Sequence, residues 1–72
     1  MKSIQNTKEY KAGFKLAAEY AEKHTVSTIK RWLASLKISN QENFDIGREG
    51  RIDYYKEWLL KQLLLENINN ND

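Results

Sequence analysis

Few residues in this chain have the types and spacing for chemistry. Glu49, Asp53 and Glu57 form a carboxylate row at i, i+4 and i+8, which a helix would bring to one face and which would suit a hard, oxygen-seeking cation. Asp53 with Lys56 and Glu57 with Lys61 also stand at helical pairing distance, so the row is read as a solvated face and no metal is assigned. The only histidine, His24, falls at a helix end on the apolar face, where capping or packing suits it better than general-base work. Cysteine is absent, and no hydroxyl nucleophile has a visible base beside it. Gly47-Arg-Glu-Gly50 has two glycines with an acid between them, which is not the spacing of a phosphate loop. The expectation is a non-enzyme with no cofactor and no small-molecule substrate.

The cations say more. The net charge of +2 divides unevenly: residues 1–37 hold eight Lys/Arg against three Glu, a net +5, and residues 38–72 hold four against seven, a net −3. Such polarity speaks to an anionic partner or to an unevenly solvated surface, and not to the fold. Lys8, Lys11 and Lys15 follow a +3, +4 stripe, and Lys30, Arg31 and Lys37 lie further along. Together they would make a phosphate footprint.

Helices must position these groups. At 72 residues the chain has room for one core, and residues 1–67 are read as a single helical domain with a frayed tail at 68–72. Tyr10, Phe14, Ala17, Ala21 and His24 share a helical face, predicting a first helix over about 7–23. Asn6 and Glu9 match a capping box at its start, and Gly13 inside it either admits another helix closely or is a simple cost of about 1 kcal/mol. Val26, Ile29, Leu33 and Leu36 predict a second helix over 26–37, capped by Thr25 or Ser27, with Trp32 widening its apolar face. Ser39 and Glu42 form another capping-box match, predicting a short helix near 40–46 that stops at Gly47 and Gly50. The last helix, 50–67, carries Ile52, Tyr55, Leu59 and Leu63 on one face with Leu60 and Leu64 beside it, and Tyr54, Trp58 and Leu65 on another. A helix with two apolar stripes is either central to the fold or an interface. The fold class is therefore an all-α compact bundle of three main helices plus one short helix, with Phe14, Ala17, Ala21, Ile29, Leu33, Leu36, Tyr55, Leu59 and Leu63 as its core.

The segment from Ala17 to Leu33, with the turn at Lys23-His24-Thr25 and the string Val26-Ser-Thr-Ile-Lys-Arg-Trp-Leu33, resembles a helix-turn-helix. The resemblance implies that the second helix enters the major groove of duplex DNA with Thr28, Arg31 and Ser35 on its exposed face, Arg31 pairing with guanine, Thr28 meeting a thymine methyl or a phosphate, and the flanking Lys30 and Lys37 neutralising backbone charge. It covers about a quarter of the chain and departs from the motif in three places: the turn glycine is missing, Glu22 stands where the first helix normally buries an apolar residue, and the stretch between Val26 and Ile29 is short for the usual turn. No particular family is implied.

The competing expectation is a protein-binding regulator or inhibitor, phage- or plasmid-encoded as the Lys-, Asn- and Ile-rich composition would suit. It would dock on a host protein, or form a homodimer, through Tyr54, Trp58 and Leu65. No apolar run approaches the roughly 20 residues of a membrane span and no signal-like stretch opens the chain, so a cytoplasmic protein that does not meet a membrane is expected.

Overall fold

The computed structural model describes residues 4–70, with side chains to Glu66. A 3-10 turn at Ile4–Asn6 leads into three helices, α1 (Lys8–Lys23), α2 (Val26–Glu42) and α3 (Ile46–Asn70). This is an all-α three-helix bundle. Thr7 starts α1: its Oγ1 accepts from the Tyr10 N–H at 3.2 Å and donates to the Ile4 carbonyl at 2.6 Å. The cap is one residue later than the Asn6/Glu9 box predicts. Thr25 caps α2 in the same way, accepting from the Thr28 N–H at 3.2 Å. Only His24 and Thr25, both extended, separate the first two helices.

The short helix expected near 40–46 does not form. Ser39 and Glu42, expected to open it, are the last turn of α2, and the break falls at Asn43–Asp45. Asp45 is the cap that matters, with Oδ1 accepting from the Arg48 N–H at 2.9 Å. Asn40 holds the corner from the α2 side, accepting from the Asp45 N–H through Oδ1 and donating to Glu49 Oε2 through Nδ2, both at 2.8 Å. Arg48 Nη1 donates to the Asn43 carbonyl at 2.8 Å and to that of Ser39 at 3.4 Å, the latter shared with the Asn43 N–H that closes α2. The last helix consequently begins at Ile46, not 50, and includes both glycines that were expected to stop the short helix before it. It continues past 67 to Asn70, through most of the expected frayed tail; residues 71–72 lie outside the described residues.

α3 is the central element, packing on both α1 and α2. Glu9 lies beside Gly47 and Tyr20 beside Tyr55, so α1 and α3 run the same way. Asn40 meets Glu49 and Trp32 meets Tyr55, so α2 runs back along them. The α1–α3 crossing is a backbone contact made by glycines. A Cβ on Gly13 would fall onto the Gly47 carbonyl oxygen, and one on Gly50 onto the Tyr10 carbonyl oxygen. No side chain fits at either place.

Ala17, Ala21, Ile29, Leu33, Ile52 and Tyr55 form the buried cluster, flanked by half-buried Trp32, Leu36, Tyr54, Trp58 and Leu59. Three expectations change. Phe14 is half-buried at the edge of the core, in edge contact with Tyr54 at 5.0 Å. His24 is exposed, with Nδ1–H donating to the Tyr20 carbonyl at 2.8 Å and its ring against Trp32. Leu63 is not core: it is more than half exposed, because α3 continues beyond the ends of its partners.

Helix propensity alone says that alanine at Gly13 would stabilise by about 1 kcal/mol. The contact with Gly47 reverses that sign. Gly13→Ala and Gly50→Ala are each expected to destabilise by about 1–3 kcal/mol, the range of overpacked interiors, read as a lower midpoint in thermal circular dichroism. A raised midpoint in either variant would contradict the crossing.

Candidate functional site

α2 is held along one side. Ile29 and Leu33 are buried against the cluster, while Lys30, Arg31, Ala34, Ser35, Lys37 and Ile38 are exposed. From Val26 to Gln41 the helix carries Lys30, Arg31 and Lys37 and no acid. Arg31 stands mid-face, with Lys30 and Lys37 along one flank and Thr28 and Ser35 along the other, as the 100° step between residues requires. Thr28 is half-buried; its Oγ1 accepts from Thr25 Oγ1 at 3.1 Å and retains its own proton to donate. On α1, Lys8, Lys11 and Lys15 are exposed, and the latter two border a shallow recess over Tyr10 and Phe14.

These residues do not form one site. Ser35 lines a cleft of about 340 Å³ with Tyr20, Trp32, Leu36, Arg51 and Tyr55. Lys37, on the other flank of α2, lines a groove with Asn40, Gln41, Glu49, Ile52 and Lys56. In the cleft, the Trp32 ring makes an edge contact with Tyr20 at 5.9 Å and tilts against His24 at 4.6 Å and Tyr55 at 6.5 Å. Arg51 and Tyr20 were not legible as partners of Ser35, since all three helices contribute. The available signal was an Arg one turn before a core tyrosine.

The residues expected to anchor a protein interface separate as well. Tyr54 and Trp58 are half-buried on the core, and only Leu65 is free. Apart from single exposed side chains such as Ile38 and Phe44, open apolar surface gathers at the far end of α3, where Leu60, Leu63, Leu64 and Leu65 are each more than half exposed.

The carboxylate row belongs to the helix packing. Asp53 Oδ2 accepts from the Tyr10 hydroxyl at 2.7 Å, and Glu49 accepts from Asn40. Burial and then the Asp53 contact push the Tyr10 pKa up to about 12. Among the described residues no three His, Asp or Glu side chains are grouped to hold a metal ion. Burial raises the Glu49 pKa, and the neighbouring Asp53 adds to the shift by charge and by hydrogen bonding.

The folded protein therefore holds the Glu49 proton more tightly than the unfolded chain does. The associated stability is fully present below the ordinary glutamate value of 4.5 and is lost as pH rises through the higher folded value. Glu49→Gln, which keeps an acceptor for Asn40 and removes the charge, is expected to raise the melting temperature at pH 7 by roughly 2–5 °C. The gain should vanish below pH 4.5; an equal gain at both pH values would rule out the charge as its source. In comparisons with known proteins, the chain matches no family model, no curated protein and no solved structure.

Proposed function

We propose that this protein is a small, non-enzymatic regulatory module that binds duplex DNA through the free face of α2. The observation that carries this is the one-sided packing of an acid-free basic helix, Ile29 and Leu33 inward and Lys30, Arg31 and Lys37 outward. A helix about 10–12 Å across fits a major groove about 12 Å wide only if its outer face is unobstructed. Arg31 at the centre of that face has the fork geometry for guanine O6 and N7. Lys30 and Lys37 along one flank and Thr28 and Ser35 along the other would meet the phosphates and sugars of the groove walls. Lys8, Lys11 and Lys15 add positive potential from α1.

A second reading is favoured by the end of α3. Four leucines, each more than half exposed on one short stretch, make an apolar surface of the kind that marks protein contacts. A second copy of the chain or a host protein would cover it, and a dimer would be compatible with DNA binding by α2.

Gel-shift titration on mixed-sequence duplex at two salt concentrations tests the first reading. Affinity should fall with salt at a logarithmic slope of about −0.9 per neutralised phosphate. Lys30→Ala should reduce that slope by about 1, and Arg31→Ala should cost about 1–3 kcal/mol on a preferred site. Absence of affinity at low salt would eliminate it. Sedimentation of wild type beside a Leu60→Lys, Leu64→Lys double variant tests the second: a wild-type dimer and a folded monomeric variant are expected. Equal sedimentation of the two proteins would remove self-association.

A further inference from the structure

We propose that the aromatic cleft between the three helices seats one unpaired nucleobase together with its attached phosphate. The walls are Tyr20 from α1, Trp32 and Leu36 from α2, and Tyr55 from α3, with Ser35 and Arg51 completing the lining. Its volume of about 340 Å³ sits at the lower end of the range for small-ligand sites, about 300–1,000 Å³.

Two polar groups in it are uncommitted. Tyr55 is 1 % exposed and forms no hydrogen bond with any described residue. Tyr55 lines the cleft, and its hydroxyl is not sealed away from solvent without a partner. Arg51 makes no hydrogen bond or ion pair with a described residue either. A deep hydroxyl, a rim guanidinium and a rim hydroxyl at Ser35, set among aromatic rings, match a flat ring with polar edges and an anion attached. A base offers both, and aromatic side chains bind any base through its π-face.

Charge complementarity selects a nucleic acid. Ser35 and Arg31 are one helical turn apart, so a phosphate chain leaving the cleft would meet the acid-free face of α2 next. In a duplex the base faces are covered by the stack, so the base must be unpaired or extruded. The inference shares with the proposed function the use of α2 as a nucleic-acid surface, and it names the strand state that the flank of that surface accepts.

Fluorescence anisotropy of a labelled oligothymidine, with the same sequence as a duplex for comparison, tests it in the full chain. Arg51→Gln and Tyr20→Ala are expected to weaken single-strand binding roughly tenfold while leaving duplex binding unchanged. Tyr55→Phe, which keeps the buried ring, should also weaken it, and thymidine monophosphate should displace the oligonucleotide. Wild type separates the two surfaces: if it shows no duplex binding while single-strand binding persists and depends on Arg51, the duplex reading falls and the cleft stands. The cleft assignment is overturned if wild type does not bind the oligonucleotide, if the three folded cleft variants bind it as wild type does, or if an acidic aromatic peptide displaces it and the mononucleotide does not.

Discussion

The backbone contact between α1 and α3 is the constraint on which the rest of the molecule depends. Gly13 faces the Gly47 carbonyl and Gly50 faces that of Tyr10, so these two helices meet without intervening side chains. Helix pairs ordinarily sit 8–10 Å apart, at a distance set by the side chains between them. Removing those side chains brings Tyr10 within 2.7 Å of Asp53 and leaves space only for alanines at the next two inward positions, Ala17 and Ala21. The largest fully buried side chains, Ile29 and Tyr55, therefore come from α2 and α3. One pair of helices adheres by proximity and the other by bulk.

Aromatic rings connect the two kinds of contact. Tyr10 stacks near Phe14, Phe14 meets Tyr54, Tyr54 meets Tyr55, and Tyr55 meets Trp32, which touches Tyr20 and His24. The path visits all three helices, and such ring pairs contribute about 0.5–1.5 kcal/mol each beyond the area they bury. In a core this small they share the work of adhesion. The candidate cleft lies where the path reaches the surface, so the rings that hold the helices together also form its walls.

Periodicity made much of this legible. The faces of α1 and of the first half of α2 followed from apolar residues at +3 and +4, and the two-residue break from the caps around His24. The second half failed for a specific reason: Gly47 and Gly50 look like helix stops when read along the chain, and their purpose is visible only beside Gly13. Ser39 and Glu42 imitate a helix start, while the residue that actually organises the corner, Asn40, reaches forward to Asp45 and Glu49. The basic face of α2 could be read from one helix. The cleft could not, because Tyr20, Ser35 and Arg51 are brought together by packing and share no local pattern.

The corner held by Asn40 also bears on how the molecule assembles. Its contact with Glu49 closes over nine residues, whereas the Tyr10–Asp53 contact closes over 43. Short loops close at lower entropic cost, so α2 and α3 are expected to zip together as a local hairpin before α1 is captured. Capture then requires the Gly13 backbone to find its register on Gly47 and Gly50. Strain at Gly13 would then appear in the unfolding limb of a chevron plot and leave the folding limb nearly unmoved. In that sense the glycines act as a late-closing latch, setting how long the folded state persists more than how quickly it is reached.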